Sequence, residues 1–411
     1  MTRALRLTAG WGAALAAALL LNLALVGPIT APEVGIVSGL ASPTPVPAGG
    51  PAAGDASAIG RIPPYVSWPL PGEGARAGSA GGGELLPLTE QEAAAFQAAA
   101  DRAREEFKLD ALAVGVSIGG RMGWAGASGV ARDGVTPLDG DSPFAIASIT
   151  KTFVATIVLQ LVEEGRISLE TRAGDVLPEL GIPAGVTIGQ LLAHTSGIAD
   201  LLAPMRGPMN EEPQRRWSGS DVVLLVGEPW FAPGTRYAYS NTNYVVLGLV
   251  VERVTGRPFA LEVAQRLLEP LGLSETGVLL EEGAPALMTP SWASAFGTSG
   301  NMYSSASDLL RWATVLYHGN VLLPISRGRM LSFGEDDPYG LGAQRIEVDG
   351  RVGQGHSGLL RGFTSLLVDL PDEGISLVVM GTTRGYAPAD LLAWSPEGER
   401  SILELALDTR P

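Results

Sequence analysis

The sequence of 411 residues contains no cysteine. This absence excludes disulfide bonds, thiolate zinc sites, a cysteine nucleophile and lipid attachment through cysteine. Histidine is almost as scarce, and its three residues lie far apart and outside any HExxH pattern: His194, His318 and His356. A histidine-rich metal site is therefore not expected. The chemistry of this protein must use oxygen and nitrogen groups.

Basic residues are in the minority. There are 28 Lys and Arg against 43 Asp and Glu, which gives a formal net charge of −15. Binding of nucleic acid needs a basic face, so no nucleic-acid partner is expected. Hydrophobic residues make up 46% of the chain, so it can bury a large core, in one large domain or in two smaller ones.

The first 27 residues have the pattern of an export signal. Arg3 and Arg6 precede an uncharged, mostly apolar run of 20 residues, 7–26. As a helix this run would be about 30 Å long, which matches the hydrocarbon thickness of a bilayer. No convincing cleavage site follows, so 1–27 is predicted to be a signal anchor, with a cleaved signal peptide or a buried helix as alternatives. The positive-inside bias then puts the rest of the chain outside the cytoplasm, membrane-anchored or secreted.

A linker follows, and the folded part begins near residue 86. Residues 41–83 contain eight prolines and ten glycines, above the roughly 25–30% that is typical of low-complexity sequence. We predict a Pro/Gly/Ala-rich linker over 28–85 and one folded domain over 86–411. Thr89 and Glu92 have capping-box spacing at the start of the first helix of that domain.

Strand patterns lie at both ends of the folded part, and helical patterns lie between them. Strands are predicted in the stretches "LAVGVSIG", "GWAGASGVA", "LGAQRIEV", "TSLLVDL" and "ISLVVMGT". Helices are predicted at 150–165, 243–255, 260–270 and 303–317. This order predicts an α+β fold: an antiparallel sheet built from N- and C-terminal strands, with flanking helices and a mainly helical insertion.

The stretch "SPFAIASITKTF", 142–153, puts Ser148 and Lys151 three residues apart at the start of an apolar helix. Residues at i and i+3 share a helical face, so the lysine amine would reach the serine hydroxyl. That is the arrangement of a serine activated by a base, provided that burial or a nearby cation lowers the lysine pKa. A capping serine beside a solvated lysine is the plain alternative, because S-x-x-K alone is a weak signal.

Three further segments carry marked motifs. Tyr239-Ser240-Asn241 follows a Pro-Gly turn, and His356-Ser357-Gly358 lies where a hairpin strand should run. The third segment is "LLAHTSGI", 191–198. Together with S-x-x-K, these motifs make the chain resemble the penicillin-recognising serine hydrolases, especially the branch of class C β-lactamases, DD-peptidases and family VIII esterases. The resemblance covers roughly 86–383.

The resemblance implies a β-lactamase/transpeptidase-like fold and acyl transfer in two steps. Ser148 would be the acylated nucleophile and Lys151 its base partner. Tyr239 would share the proton transfer as phenol or phenolate. No metal and no organic cofactor is implied, and the expected partner is a small-molecule or peptide substrate. The oligomeric state is left open.

The other motif residues are implied to bind the substrate. Asn241 would hydrogen-bond the substrate amide or Lys151. The backbone N–H groups of Ser148 and Leu359 would form the oxyanion hole, because donors aimed at a developing oxyanion are usually a large catalytic term.

His356, in the element that ends with Gly358, stands where many relatives have the lysine of K-T-G. An imidazole with an unperturbed pKa of about 6.5 would gain charge as the pH falls from about 8 to 5.5. The preference for carboxylate-bearing substrates is therefore expected to grow over that range. Nearby Arg361 could anchor a substrate carboxylate or face solvent.

Three features are assigned no chemistry. His194 is interpreted as a structural residue that shapes a loop under the site. His318 is interpreted as a residue at a helix C-terminus that the helix dipole favours. The segment "SGNMYSSASDLLRWA", 299–313, is interpreted as a capped helix that packs its apolar residues.

The sequence thus predicts a serine hydrolase that acts on D-alanyl peptides, β-lactams or small esters outside the cytoplasm. An α/β-hydrolase is disfavoured because no G-x-S-x-G elbow occurs. The alternative is a non-catalytic, membrane-tethered cell-wall-binding or sensor domain that keeps the same fold, because a fold does not imply a function.

Overall fold

The computed structural model describes residues 88–119, 121–334, 338–382 and 386–410. The predicted signal anchor over 1–27 and the predicted linker over 28–85 lie outside the described residues. Within the described ranges, no helix is long and apolar enough to cross a membrane.

The secondary structure alternates between two strand-rich ends and a helix-rich middle. The strands are β1 Ala111–Ile118, β2 Arg121–Gly129, β3 Phe144–Ala145, β4 Gly277–Val278, β5 Met302–Ser304, β6 Gln344–Val348, β7 Arg351–Leu360, β8 Phe363–Leu370 and β9 Ile375–Thr382. The helices are α1 Glu90–Glu106, α2 Thr150–Glu163, α3 Ala173–Val176, α4 Ile188–Leu192, α5 Leu202–Glu211, α6 Gly219–Leu225, α7 Asn241–Thr255, α8 Phe259–Val263, α9 Glu269–Leu271, α10 Pro290–Phe296, α11 Ala306–Ala313, α12 Pro324–Met330, α13 Pro388–Ala393 and α14 Ile402–Asp408.

Six strands form one antiparallel sheet in the order β2-β1-β9-β8-β7-β6. Strand β1, from the start of the domain, pairs with β9, from near its end, with Val114 opposite Val379. The predicted α+β fold, with a sheet made from both ends of the domain and a helical insertion between them, is confirmed.

Helices cover both faces of this sheet, which is why β1 and β8 are buried along their whole length. One face packs against α1, α13 and α14 around Phe96 and Leu391. The other packs against α11, and α2 and α7 extend the same core, where Phe153 stacks on Trp312 with 4.1 Å between ring centroids. A fully buried Leu or Phe side chain contributes about 1.5–3 kcal/mol, so this two-sided core holds the sheet and the insertion together.

Strand β7 is longer than its partner β6. The β6 ladder ends where Gln344 pairs with Gly355, whereas β7 continues to Leu360. The last residues of β7 therefore pair with β8 on one side only. Their other edge borders the helical region.

A second sheet of three short strands, β3-β5-β4, was not predicted. The segment expected to be helical from residue 303 instead forms β5, which pairs with β3 at Phe144 and Ser304. Helix α11 starts only after Ser305, whose side chain accepts from the Asp308 N–H at 3.1 Å. This small sheet holds the chain just ahead of Ser148.

His318 has a side-chain partner, whereas the sequence analysis expected only the helix dipole to favour it. Its Nε2 lies 2.8 Å from the Oδ1 of Asp369, a buried carboxylate on β8. The hydrogen bond to this carboxylate raises the pKa of His318, although partial burial opposes the shift. A specific ion pair with the sheet, and not the helix dipole alone, thus accounts for this position.

Candidate active site

Ser148 lies in the 3₁₀ turn Ala147–Ile149, directly before α2. The sequence prediction put Ser148 in the first turn of the helix. In the structure it lies two residues before the first residue of α2. Ala147 has a φ of 48°, a left-handed conformation that is uncommon for a residue with a Cβ. This sharp turn leaves the serine partly exposed, while Lys151 beneath it is buried.

The amine of Lys151 meets three oxygen atoms. Its Nζ lies 3.0 Å from Ser148 Oγ, 2.9 Å from Asn241 Oδ1 and 2.6 Å from the backbone oxygen of Ser299. Burial lowers the pKa of Lys151 to about 7, and the negative charge of Asp200 opposes this shift. A substantial fraction of the amine is therefore neutral at neutral pH.

The three contacts also orient the amine. The oxygens of Asn241 and Ser299 can only accept, so they take up two of the amine hydrogens. In the neutral amine the remaining tetrahedral position is a lone pair, and it faces the hydroxyl of Ser148. The arrangement fits a base that removes the serine proton.

Tyr239 approaches the same hydroxyl from another side. Its OH donates to Ser148 Oγ at 3.0 Å. Burial raises the pKa of Tyr239 well above its usual value, so the side chain is a phenol at neutral pH. Of the two roles left open for this residue, the phenol fits the structure, and proton abstraction falls to Lys151.

The "HTSG" segment supports Tyr239 from below. The ring of His194 lies 4.2 Å from the ring of Tyr239, and its Nδ1 accepts the Ser240 N–H at 3.2 Å. The backbone oxygen of His194 accepts from Ala238 at 2.9 Å. A Cβ on Gly197 would lie 2.1 Å from the Phe231 oxygen, so glycine is needed for this close approach. His194 thus lies under the site and contacts it through ring packing and through hydrogen bonds of both its imidazole and its backbone.

The end of β7 runs against the turn that carries the serine. A Cβ on Gly358 would lie 2.2 Å from Ser365 Oγ and 2.5 Å from the Ile146 oxygen, so only glycine fits there. The Ser357 N–H bonds to Gln344 on the β6 side. Leu359, two residues further, directs its N–H to the same side, beyond the end of β6. This is the orientation that an oxyanion-hole donor beside Ser148 requires.

His356 contradicts one expectation. Its Nδ1 lies 2.6 Å from the backbone oxygen of Ser357, which can only accept, so this nitrogen carries the proton. The hydroxyl of Tyr339, 2.8 Å away, then donates to Nε2. Burial, with a smaller effect of Lys151, lowers the pKa of His356 to about 3. The expectation that this imidazole gains charge between pH 8 and 5.5 is wrong.

Arg361 sits in the turn between β7 and β8, and its guanidinium is engaged. It donates to Asn210 Oδ1 at 2.6 Å and lies 5.6 Å from the ring centre of Trp292. The side chain is exposed, yet it joins the β-turn to α5 and α10 instead of pointing freely into solvent. Its availability to a substrate carboxylate is correspondingly reduced.

Sequence reasoning missed three contributors: Asp200, Ser299 and Tyr339. Ser299 belongs to the segment that was assigned no chemistry, and this assignment is corrected by its backbone contact with Lys151. The contact of Ser299 uses a backbone oxygen, which every residue type has, so no sequence signal could have indicated it. Asp200 and Tyr339 contribute polar side chains close to quoted stretches, and that proximity was the available signal. Among the described residues, no group of three or more His, Cys, Asp or Glu could hold a metal ion.

Comparisons with known proteins point to one family. The family model described as Beta-lactamase matches residues 96–396. Penicillin-binding protein 4 of Amycolatopsis lactamdurans is 30% identical over 70% of this chain and 84% of its own length. Esterase EstB of Burkholderia gladioli is 34% identical over 46% of this chain and 52% of its own length, so only about half of the esterase is matched. A D-stereospecific amidohydrolase structure from Streptomyces sp. has 31% identity and a TM-score of 0.60, and the match covers 70% of this chain and 94% of that one.

Replacing Gly358 with alanine tests the close approach of β7 to the serine turn. The added methyl group must displace Ser365 or the Ile146 carbonyl, so we expect a loss of about 1–3 kcal/mol in the free energy of unfolding. Covalent labelling of Ser148 by a fluorophosphonate should slow at least tenfold.

Gly328→Ala is the matched control, because a Cβ there meets nothing within 4 Å. Urea unfolding and labelling rates of both variants provide the measurement. Wild-type stability and labelling in Gly358→Ala would mean that the strand does not need this glycine.

Proposed function

This chain belongs to the beta-lactamase family and is a serine hydrolase of that type, and from that premise we propose that it cleaves D-alanyl peptides, β-lactams or small esters through an acyl-enzyme on Ser148. The observation that carries this proposal is the convergence on one hydroxyl: Lys151 Nζ and Tyr239 OH each lie 3.0 Å from Ser148 Oγ.

In the first step neutral Lys151 takes the proton of Ser148, and the serine oxygen attacks the carbonyl carbon of the substrate. The backbone N–H groups of Ser148 and Leu359 hold the oxyanion. Tyr239 donates its proton to the leaving amine or alkoxide and is reprotonated from Lys151. The serine proton thus ends on the leaving group, and the acyl-enzyme remains.

In the second step water attacks the acyl-enzyme. Its proton returns through the same lysine and tyrosine pair to the serine oxygen, which leaves as the hydroxyl. Each proton-transfer group is therefore restored after one cycle. A neutral amine and a neutral phenol suit this exchange, because one accepts a proton where the other donates one.

The surroundings of His356 favour uncharged acyl donors. A lysine at this position would attract a substrate carboxylate, whereas the neutral imidazole bonded to Tyr339 does not. The guanidinium of Arg361, in the turn after this strand, is engaged by Asn210. Amides and esters without a carboxylate next to the scissile bond are accordingly the preferred part of the proposed substrate range, and the relatives include a protein named as an esterase and one named as an amidohydrolase.

The proposed place of action is outside the cytoplasm. The support is the basic start, the apolar run over 7–26 and the Pro/Gly-rich stretch that follows. Fractionation of cells that express the full chain should recover it with the membranes or in the medium. Recovery from the cytosol would contradict this location.

Three substitutions test the assigned roles. Ser148→Ala should abolish turnover and labelling by a fluorophosphonate or a fluorescent penicillin. Lys151→Ala and Tyr239→Phe should each lower kcat by about 10² to 10⁴, the range of a positioned proton-transfer group. Tyr386→Phe, which removes another partly buried tyrosine hydroxyl, is the control and should retain wild-type kcat.

A covalent adduct on Ser148, detected on intact protein, distinguishes an enzyme from a non-catalytic domain. If no acyl donor or fluorophosphonate labels Ser148 in well-folded wild-type protein, a non-catalytic binding or sensor domain is the better description. Substantial activity in Ser148→Ala would mean that the nucleophile is a different residue.

The neutral state of His356 makes a prediction about substrate charge. We compare kcat/KM for a carboxylate substrate with kcat/KM for its methyl ester between pH 5.5 and 8. The ratio should stay flat, because the imidazole pKa of about 3 lies below this range and the substrate carboxylate, with a pKa near 3.5, stays ionised.

A ratio that rises as the pH falls would mean that His356 does take up a proton near the substrate. A high ratio that is lost in Arg361→Ala would assign the substrate carboxylate to Arg361 instead.

A further inference from the structure

We propose that Asp200 is a positioning residue of the active site: it fixes the side-chain amide of Asn241 and, through that amide, the direction of the base Lys151. This inference rests on the proposed role of Lys151 in the hydrolase reaction. Asp200 belongs to none of the motifs quoted from the sequence. It follows the "HTSG" segment and precedes α5.

The carboxylate of Asp200 accepts three N–H donors. Its Oδ2 accepts the Asn241 N–H at 2.5 Å and the Asn241 Nδ2 at 2.9 Å, and its Oδ1 accepts the Leu202 N–H at 2.8 Å. A partly buried carboxylate with three N–H donors is held in one position. It therefore acts as a rigid acceptor at the start of α7.

The identity of the partner decides which way the Asn241 amide points. The oxygen and nitrogen of a terminal amide have nearly the same shape, so only their partners select one orientation. A carboxylate can only accept, so it selects Nδ2. The oxygen Oδ1 is then left for Lys151, at 2.9 Å.

The opposite orientation would disable the base. With Nδ2 turned towards Lys151, an amide hydrogen would point at the amine and compete with Ser148 for its lone pair. Only the orientation set by Asp200 gives Lys151 two pure acceptors, Asn241 Oδ1 and the Ser299 oxygen. Only that orientation leaves the lone pair of the amine for the serine hydroxyl.

Asp200 also acts on Lys151 through its charge. The titratable groups that face the lysine from the surrounding elements are Asp200, His194, Tyr239, Tyr244 and His356. The histidines and tyrosines of this set are neutral, because burial lowers the pKa of the former and raises the pKa of the latter. Burial raises the pKa of Asp200, and its N–H donors and the charge of Lys151 oppose that shift. Within this set, Asp200 is the carboxylate, and its negative charge favours the protonated form of Lys151.

The substitution Asp200→Asn tests both effects. In wild type, kcat/KM should rise with pH through about 7, as Lys151 loses its proton. Without the carboxylate, the lysine ammonium is less stabilised, so this acid limb should move to lower pH. On the plateau at higher pH, kcat/KM should fall about 10- to 100-fold. Without the carboxylate the Asn241 amide is free to turn, and the lone pair of Lys151 then no longer points at the serine hydroxyl.

Asp308→Asn is the matched control. Asp308 is also a sequestered carboxylate that accepts a backbone N–H, from Glu275 at 2.8 Å, and a side-chain donor, Thr276 Oγ1 at 2.9 Å. It does not belong to the set that faces Lys151. Its replacement should lower the free energy of unfolding and leave the pH of the acid limb unchanged.

The outcomes separate this proposal from the one on which it rests. Wild-type protein that labels at Ser148, with an Asp200→Asn acid limb at the wild-type pH, overturns the positioning role alone. Wild-type protein that does not label at all overturns both. An equal loss of rate at every pH in Asp200→Asn would indicate a structural role only and would also overturn the proposal.

A second variant keeps the test decisive if Asp200→Asn folds poorly. Asp200→Glu retains the negative charge but displaces the acceptor oxygens. Its plateau rate should fall while its acid limb stays near the wild-type pH. A limb that moves down in Asp200→Glu would contradict the assignment of the charge effect to this carboxylate.

Discussion

The active site depends on the burial of one amine. Removing a lysine ammonium from water is costly unless its hydrogens find partners, and Lys151 finds them in three separate parts of the chain. The 3₁₀ turn ahead of its helix supplies the serine, the start of α7 supplies an amide oxygen, and the turn before β5 supplies a backbone oxygen. The lowered pKa of Lys151 therefore requires the assembled domain, because any one of these three segments alone would leave the amine hydrated and protonated.

Close approach of backbones is the second requirement of this assembly. Gly358 lets β7 lie against the serine turn, and Gly197 lets the segment before Tyr239 lie against the "HTSG" loop. Gly342, with a φ of 90°, lets the loop after Tyr339 pack on α2, where a Cβ would lie 2.3 Å from Ala155. These glycines carry no chemistry. They bring groups from distant segments close enough for hydrogen bonds to form.

The sheet and the pairing of Ser148 with Lys151 could be predicted from the sequence. The backbone contacts and the burial of the site could not, for physical reasons. The strand patterns at both ends gave the sheet, and the i, i+3 spacing of Ser148 and Lys151 brought their side chains together as expected. The backbone oxygen of Ser299 has no residue-type signature, and the short strand β5 is too brief for a periodic pattern. His356 was assigned the pKa of a solvated imidazole because the burial that lowers its pKa depends on tertiary packing that the sequence does not specify. The segments over 1–27 and 28–85 remain predictions.

The pairing of β1 with β9 has a consequence for how the protein is made. Strand β1 leaves the ribosome well before β9, its neighbour in the centre of the sheet, which emerges only after the whole helical insertion. Until then β1 and β2 form a two-stranded ribbon, which is at best marginally stable in water. Folding of the sheet therefore has to wait for the synthesis of β9, and contacts of such long range make it slow. A chain in this state exposes apolar strand edges to aggregation until β9 is available.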